Sequence, residues 1–521
     1  MNELAELRAE NARLREENAR IPELEAQIAA LVETVATLSK IVYGDSSERT
    51  KHKPSRQADD AESQEGTGSA DPQRTKPKRG RKKGDAGHGR RDYGDLETEE
   101  VIHDLDDDDK CCKECSTAFE PFGYESCEQI DWLVKLVRIV HKRLRYRRNC
   151  KCSGPGMVIA PVVPKPIGKG RFTSGFLSRL IIEKYCFGTP LNRIVANLAL
   201  SGAELSTGTL TGSLQSCSML LEPLAKAIAV HNATAAHLHI DETSWKVYEQ
   251  IGDKKGNRCW LWVFVGPDST VFNIDPTRSL KPLADHLGVA DNKLPDGHEV
   301  IVSSDFLSVY QSMNNNVDGF KSLLCWAHIR RYFIRAGDAH KELQIWRDEW
   351  VSLIGDLYQA HQLVNQATYA SVEYNQATQR FAEVLGVMDE TRKHQSQDES
   401  LHIGAKKVLA TLDNEWAGLT AHQDHLELPM DNNAAERAIR GPVVGRKNYN
   451  GSGSKWSADL AGRAWTITAT AKQHGLNQLT YLNDYFDDCG NNGAKPLRGE
   501  QLQRFLPWNA SEHDLARWRG P

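Results

Sequence analysis

Five short apolar segments between two helical regions restrict the fold of this chain more than any other feature of its sequence. The segments cover residues 236–240, 258–265, 270–274, 299–303 and 322–325, and each has the length of a β-strand. Apolar residues before residue 231 and after residue 335 recur at helical spacing instead. Because a chain of 521 residues is too long for a single core, we predict a multidomain α/β protein with a sheet flanked by helices.

The composition is that of a globular protein. Hydrophobic residues make up 40% and charged residues 26% of the chain, which excludes a wholly disordered or fibrous protein. No apolar run approaches the ~18 residues that a membrane helix needs, and the first ten residues lack the apolar core of a signal peptide. Eleven cysteines without a signal peptide indicate reduced thiols or a metal site. We therefore expect a cytoplasmic protein that does not bind a membrane.

The first 43 residues have the heptad pattern of a coiled coil. Leucines and isoleucines recur at spacings of three and four, and Asn11 and Asn18 occupy core positions, which favours a two-stranded parallel dimer. Pro22 lies where the register shifts, consistent with a kink. The alternative is a single amphipathic helix packed on its own chain. We prefer self-association, because the apolar seam is narrow and its flanks are charged.

Residues 44–100 are predicted to be a basic disordered linker, because they contain almost no large apolar residue. The stretch from Arg74 to Arg91 has nine basic residues and one acidic residue, within a chain of net charge −5. Arg79 and Arg81 flank a glycine as in an AT-hook, whose arginines enter the DNA minor groove. This stretch predicts polyanion binding, although a solvated linker would have the same composition.

Two cysteine pairs in residues 101–165 predict a zinc-ribbon-like domain. Cys112 and Cys115 have the usual C-x2-C spacing, and Cys150 and Cys152 form a tighter C-x-C pair that begins 35 residues after Cys115. We expect these four residues to hold one structural Zn²⁺. Ordinary reduced cysteines are the alternative. Two further cysteines are substitute ligands: Cys111 and Cys127.

Residues 166–230 contain two short helical segments and a third that is rich in serine and threonine. Pro190 begins the second segment, and Ser201-Gly202 forms the turn before the third. This pattern predicts a helix-turn-helix DNA-binding domain. Any three-helix bundle would have a similar pattern, so a bundle without a DNA-binding role is the alternative.

Three carboxylates indicate the chemistry. Asp241 and Asp305 follow strand segments, and Glu436 lies near the start of a helix that we expect to stop at Gly441-Pro442. If they converge, they supply hard oxygen ligands for two Mg²⁺ ions, an arrangement that stabilises the attacking and leaving oxygens of phosphoryl transfer. The alternatives are structural: strand-end turns for the two aspartates, and a capping box with Asn433 for Glu436.

Four longer motifs resemble the transposases of the insertion sequence 66 family, and the resemblance covers nearly the whole chain. The motifs are HIDETSWKV at 239–247, SSDFLSVY at 303–310, CWAHIRRYF at 325–333 and DNNAAERAIRGPVVGRKNYNGSGS at 431–454. The family is similar in mechanism to other DDE transposases, which have an RNase H-like core. The resemblance implies that Asp241, Asp305 and Glu436 are the catalytic residues and hold two Mg²⁺ ions, for which Mn²⁺ would substitute.

The resemblance also implies how the rest of the chain is divided. An RNase H-like core would begin in residues 231–335 and resume with the Glu436 helix in residues 426–475, followed by a C-terminal segment in 476–521. Residues 336–425 would be a helical insertion, since 131 positions separate Asp305 from Glu436. Tryptophans at helical spacing within it are interpreted as its apolar core: Trp346 and Trp350.

Several smaller features accompany the motifs. Cys325 and His328 match a C-x-x-H signature of similar families and are expected to line the active site. Basic residues near the motifs are expected to hold DNA phosphates without reading base sequence: Lys246, Arg330, Arg331, Arg437, Arg440, Arg446 and Lys447. The chain departs from the family pattern in its C-x-C pair and in Phe306-Leu307, where relatives more often have Gly-Tyr.

The expected function is the transposition of an insertion sequence. The protein would bind double-stranded DNA at the terminal inverted repeats as a dimer, cleave it with the help of metal ions, and join the freed end to target DNA. Companion proteins of the same element are further candidate partners, and the expected location is the nucleoid of a bacterial cytoplasm. Two rival functions are a non-catalytic DNA-binding regulator and a structure-specific nuclease.

Overall fold

The computed structural model describes residue 114 and residues 135–147, 149, 157–252, 257–295 and 297–520. The predicted coiled coil and linker, with Arg79 and Arg81, lie outside the described residues, as do the four predicted zinc ligands. These features therefore remain predictions.

The described strands form two sheets. Their bounds are β1 (Arg145–Arg147), β2 (Met157–Ile159), β3 (His237–Lys246), β4 (Arg258–Val265), β5 (Thr270–Asp275), β6 (Val300–Ser304) and β7 (Phe320–Leu324). β1 pairs with β2 alone, and the other five form one mixed sheet in the order β5-β4-β3-β6-β7. β3, β4 and β5 are antiparallel neighbours, whereas β6 and β7 run parallel to β3. The predicted α/β class is thus confirmed as a mixed sheet with many helices.

The helices lie before, within and after the sheet segment of the chain. Their bounds are α1 (Ser174–Ile181), α2 (Leu191–Leu200), α3 (Thr207–Asn232), α4 (Lys281–Leu287), α5 (Ser308–Asn316), α6 (Trp326–Ala339), α7 (Gln344–Gln366), α8 (Val372–Ser396), α9 (Ile403–Thr420), α10 (Asn433–Tyr449), α11 (Lys455–Gln473), α12 (Gln478–Asn491), α13 (Gly499–Gln503) and α14 (Glu512–Arg519). None of the helices among the described residues is both long and apolar enough to cross a lipid bilayer.

The helices that precede the sheet share its hydrophobic core. The third predicted segment is a 26-residue helix, α3, which begins where Ser206 accepts a hydrogen bond from the N–H of Thr209. The C-terminal half of α3 buries Leu221 and Leu224 in the same cluster as Leu261 of β4. This helix therefore joins the segment predicted as helix-turn-helix to the sheet through one continuous core.

Helix α11 covers the edge of the sheet at β5. Two threonine hydroxyls of α11 accept hydrogen bonds from β5 amides: Thr470 from Thr270 at 3.1 Å, and Thr466 from Phe272 at 2.9 Å. Gly462 permits this close approach, since a Cβ there would lie 2.8 Å from the carbonyl oxygen of Phe272. The edge strand is thus protected from pairing with another chain.

Helices α7, α8 and α9 form a second hydrophobic core together with α6. Trp350 and Leu357 of α7 are fully buried in this cluster, and Trp346 is nearly so. The indole N–H groups of both tryptophans donate to the same oxygen, Oε1 of Gln395 on α8. The tryptophans therefore act as core residues of this helical unit.

Helix α10 is longer than the sequence indicates. Pro442 lies inside the helix and is buried, so the prediction that the helix stops at Gly441-Pro442 was wrong. The helix ends at Tyr449, and Asn450 follows in the left-handed conformation with φ 63°. A proline in a helix interior costs roughly 3 kcal/mol. Tertiary contacts offset this cost, among them hydrogen bonds from Arg446 to Thr243 and Ser244 of β3.

Candidate active site

Strand pairing brings Asp241 and Asp305 together. β3 and β6 pair in parallel, and their last paired residues are His239 and Ser303. Asp241 lies two residues after His239, and Asp305 lies two residues after Ser303. Residues displaced equally along parallel strands are neighbours at the same edge of a sheet. The prediction that β3 ends at Ile240 was wrong, because antiparallel pairing with β4 continues it to Lys246. Asp241 therefore lies where the parallel pairing stops and not where the strand stops.

Glu242 completes a cluster of three carboxylates with these aspartates. One oxygen of each of Asp241, Glu242 and Asp305 lies within 4.8 Å of the other two. Burial, and then the charges of Glu242 and Asp305, raise the pKa of Asp241 well above its usual range. A bound cation would stabilise the ionised form of carboxylates that are clustered and buried in this way. Their oxygens are the donors that Mg²⁺ and Mn²⁺ prefer.

Glu242 is already held by protein groups. Arg278 donates from Nε and Nη2 to Glu242 Oε1 at 2.9 and 2.6 Å, and the Tyr310 hydroxyl donates to Oε2 at 2.9 Å. Burial and the charge of Asp305 raise the pKa of Glu242, while the hydrogen bonds from Arg278 and Tyr310 oppose that rise. Of the three carboxylates, Glu242 is thus the one whose charge the protein compensates directly.

Asp305 is oriented by its own turn. Its Oδ1 accepts the N–H of Leu307 at 3.0 Å, just before α5 begins. A carboxylate that caps its own turn has few rotamers available to it. Asp305 is therefore held at the end of β6 and next to Asp241.

Glu436 lies on α10 and is not a member of the cluster. Arg331 Nη2 donates to both carboxylate oxygens of Glu436, at 2.7 and 2.9 Å, and His328 Nε2 lies 3.6 Å from Oε1. The alternative of a capping box with Asn433 is not supported, because α10 begins after Asn432 and has no side-chain cap hydrogen bond. The charge of Glu436 nevertheless contributes to raising the pKa of Asp241. Glu436 is thus near the aspartates and paired with a cation of the protein.

Cys325 is a structural thiol. Its Sγ accepts the backbone N–H of Asn432 at 3.1 Å, and burial raises the pKa of the thiol to about 12. A protonated thiol is a poor metal ligand. Burial also lowers the pKa of His328, which keeps its imidazole neutral at pH 7. His328 lies beside Glu436, whereas Cys325 bonds to Asn432 and, as a protonated thiol, does not have the environment of a metal ligand.

The basic residues near the motifs differ in exposure. Arg437, Arg440 and Lys447 are exposed on α10, and Lys246 is exposed at the end of β3. Arg446 instead donates to Thr243 Oγ1 at 3.0 Å and to the carbonyl of Ser244, so it fastens α10 to β3. Arg330 is half-buried, as is Arg331.

A second group of potential ligands combines two residues between α6 and α7 with the residue before α9: His340, Glu342 and His402. His402 is the N-cap of α9, and its Nδ1 accepts the N–H of Gly404 at 3.1 Å. The proton of the neutral ring is then on Nε2, which faces Glu342 Oε1 at 3.5 Å. A metal-bound imidazole has the opposite arrangement, in which the nitrogen away from the metal donates. His402 therefore acts as a helix cap, and its ring does not have the arrangement of a metal ligand.

Residues 169–460 match the family model described as "Transposase IS66 family". The match covers more than half of the chain and includes Asp241, Asp305 and Glu436. The chain belongs to the IS66 transposase family. The resemblance inferred from the sequence motifs is thereby confirmed.

Two curated relatives of this IS66 family member come from Sinorhizobium fredii (strain NBRC 101917 / NGR234). The uncharacterized protein y4hP is 22% identical over 434 residues, which is 80% of this chain and 75% of the relative. The uncharacterized protein y4jD is 22% identical over 422 residues, 78% of this chain and 79% of the relative. No solved structure matches.

Sequence reasoning did not single out three residues of this part of the transposase: Glu242, Arg278 and Asn432. Glu242 follows Asp241 directly, and neighbouring strand residues normally point to opposite faces of a sheet, so the pattern does not predict that both join one cluster. Arg278 follows β5, and nothing near it in the sequence indicates a carboxylate partner. For Asn432 the signal was present, since it is the second residue of the DNNAAER stretch.

Proposed function

We propose that this chain is a DNA transposase that binds the ends of its element, cleaves DNA with the help of divalent metal ions and transfers the freed strand to target DNA. The meeting of Asp241 and Asp305 in a cluster of carboxylates, within the part of the chain that matches the family, carries the proposal. Membership of a transposase family implies transposition. The two-metal DDE mechanism is a more specific part of the proposal.

The sheet supports an RNase H-like core. Three antiparallel strands, β3 to β5, are followed by two strands that run parallel to the first. In such a sheet, acidic residues on β3 and after β6 meet at one edge, which is where Asp241 and Asp305 lie. The helical unit α7–α9 then corresponds to an insertion before the Glu436 helix.

Asp241 and Asp305 would hold the metal ions, two Mg²⁺ or Mn²⁺, with Glu436 as the third carboxylate. Such ions supply the positive charge that stabilises the phosphodiester as its negative charge grows in the transition state. The chain's own part is to keep its acidic side chains in place. Arg278 and Tyr310 immobilise Glu242, and Arg331 balances the charge of Glu436 in the structure described here.

DNA phosphates would lie along the exposed face of α10. Arg437, Arg440 and Lys447 fall on one side of this helix, given its period of 3.6 residues. Phosphate contacts of this kind position DNA without reading its sequence. Lys246 would extend the contact from β3, whereas Arg446 is better explained as a tie between α10 and β3.

End recognition and dimerisation are proposed for the N-terminal part of the chain. The helix-turn-helix in residues 166–230 and the zinc ribbon of Cys112, Cys115, Cys150 and Cys152 would bind the terminal repeats. The coiled coil of residues 1–43 would supply the dimer, since a two-fold protein offers matched sites for two DNA ends. We expect the full-length chain to contain one zinc ion, and to lose it on the change Cys112→Ser. A zinc-free wild-type protein would contradict the ribbon.

The test is a cleavage and joining assay with the full-length protein. The substrate is linear DNA that carries the inverted repeats flanking the gene, together with a supercoiled target plasmid. We expect Mg²⁺-dependent cleavage at the repeat and joining to the plasmid, both abolished in Asp241→Asn and Asp305→Asn. Cleavage without joining would indicate a structure-specific nuclease, and end binding without cleavage would indicate a regulator.

A further inference from the structure

Asn432 is a fully buried amide that joins three separate segments of the chain. Its Nδ2 donates to the carbonyl of Ile240 at 2.7 Å, and its Oδ1 lies 3.3 Å from Nδ1 of His239, both on β3. Its backbone N–H donates to Cys325 Sγ at 3.1 Å. Among the described residues outside its own helix, Asn432 thus bonds only to residues that are more than 100 positions away in the sequence.

This use of the side chain is unusual for its position. Asn432 is the N-cap of α10, where an asparagine side chain commonly accepts an N–H from the first turn of the helix. No such bond forms at this helix start. The amide donates to β3 instead, and the N–H of Asn433, the first helical residue, is accepted by the side chain of Asp431. Asn432 therefore ties the helix start to the sheet and leaves the capping bond to its neighbour.

Two of the three joined segments carry acidic residues of the proposed site, and the third carries Arg331, the partner of Glu436. Ile240 immediately precedes Asp241, and Cys325 is the N-cap of α6, which carries Arg331. The carbonyl of Asn432 accepts the N–H of Glu436 at 3.2 Å. Any shift of α10 along β3 would therefore break the Asn432–Ile240 bond and change the separation of Glu436 from Asp241.

We infer that Asn432 is a positioning residue, which holds the start of α10 at a fixed distance from Asp241 on β3 and so sets the affinity of the site for divalent cations. The inference rests on the proposed function, because it assumes that Asp241 and Glu436 serve one metal site. Residues that orient metal ligands in this way typically change metal affinity by about 10- to 100-fold when they are removed.

Three variants of the full chain separate positioning from simple stability. Asn432→Ala removes the link to Ile240. Asn432→Ser removes the same link but restores a side chain that caps helices well. The matched control is Asn232→Ala, because Asn232 is also fully buried and makes three side-chain hydrogen bonds, to Ser269 and His286, at the end of α3.

Three quantities are measured for each variant. The first is the Mn²⁺ affinity of the DNA-free protein, obtained from the electron paramagnetic resonance signal of free Mn²⁺. The others are the melting temperature and the Mg²⁺ concentration for half-maximal cleavage. We expect both Asn432 variants to bind Mn²⁺ about 10-fold or more weakly and to need correspondingly more Mg²⁺. Asn432→Ser should be the more stable of the two. Asn232→Ala should lose stability and keep wild-type Mn²⁺ affinity.

Wild-type Mn²⁺ affinity in either folded Asn432 variant would overturn the inference and leave the proposed function intact. An equal loss of affinity in Asn232→Ala would also overturn it, because the effect would then follow from general destabilisation. Wild-type protein that neither binds Mn²⁺ nor cleaves DNA would overturn the proposed function, and with it the inference.

Discussion

Arg331 holds Glu436 through one guanidinium nitrogen, Nη2, which donates to both carboxylate oxygens at 2.7 and 2.9 Å. Both side chains are about four-fifths buried, with exposed fractions of 20% and 19%. In this arrangement the charge of Glu436 is balanced by the protein, and Glu436 stands outside the cluster formed by Asp241, Glu242 and Asp305. Glu436 must exchange Arg331 for another cation if it is to serve as a metal ligand.

The change Glu436→Gln should separate catalysis from folding. Glutamine keeps the shape and accepts a hydrogen bond from Arg331, but it lacks the charge that a metal ion requires. We expect an unchanged melting curve, unchanged binding to terminal repeats, and a loss of at least about 10²-fold in cleavage rate. Asp431→Asn is the control, since Asp431 accepts the N–H of Asn433 at the start of the same helix. Near-normal strand transfer by Glu436→Gln would return this residue to a structural role.

A double-mutant cycle should measure the pairing of Arg331 with Glu436. Arg331→Gln leaves a largely buried carboxylate without its main partner, which we expect to cost about 1–3 kcal/mol in the free energy of unfolding. Because Glu436→Gln alone is expected to cost little, the double variant should lose less than Arg331→Gln alone, with a coupling of roughly 1 kcal/mol. Denaturant unfolding with and without saturating Mn²⁺ is the measurement. A coupling unaffected by Mn²⁺ would show that Glu436 stays with Arg331.

The change Asp241→Asn should stabilise the protein while it removes activity. Burial and neighbouring carboxylates raise the folded-state pKa of Asp241 above its unfolded value. The ionised form therefore costs stability, and this cost grows as pH rises from about 4, the unfolded pKa, through the folded pKa. In EDTA at pH 7 we expect the melting temperature to rise by about 2 °C, with a smaller gain as pH falls towards 4. A lower melting temperature for Asp241→Asn would contradict the electrostatic argument.

His286 should make the stability of the fold depend on pH at a distance from the acidic cluster. Its ring stacks on Phe264 and its Nε2 bonds to Asn232 Oδ1 at 2.8 Å, and burial lowers its pKa to about 3. Because the unfolded chain binds a proton near pH 6.5 and the folded chain does not, stability is lost as pH falls below 6.5. Between pH 7 and 5 this one group accounts for about 2 kcal/mol.

The test for His286 is the change His286→Gln, which keeps a donor for Asn232. We expect the difference in unfolding free energy between pH 7 and pH 5 to shrink by about 2 kcal/mol. His231→Gln is a control on an exposed pair, since His231 bonds to Asp268 with both side chains over a third exposed. An unchanged pH dependence in His286→Gln would contradict the buried neutral histidine.

The local sequence pattern was sufficient to predict the strands of the central sheet. It was insufficient to predict contacts between residues that are far apart in the sequence. Strand β4 lies at the residues predicted for it, because seven consecutive apolar or aromatic residues after Arg258 have few other ways to be buried. The end of α10 was mispredicted, because the tie from Arg446 to Thr243 that carries the helix past Pro442 joins residues 203 positions apart. No local rule contains such a contact.

The same distinction applies to the site. Asp241 and Asp305 were found because the ends of buried strands mark the edge where parallel strands meet. Glu242 and Arg278 were not found. Their pairing depends on the conformation of the loop after β5, which brings the Arg278 guanidinium to the Glu242 carboxylate. The sequence also offered Glu436 two roles, capping or ligand. Its pairing with Arg331 joins residues 105 positions apart, and no pattern in either helix describes it.

The link between Asn432 and Ile240 spans 192 positions of the chain. A ribosome that adds ~5–20 residues per second needs about 10–40 s to reach Asn432 after it has made Ile240. Throughout that interval the nascent chain already carries helices α1 to α3 and lacks the helix that completes the acidic site. A chain that ends within this interval lacks both Glu436 and the Asn432–Ile240 link, so the acidic site is assembled only after synthesis has passed α10.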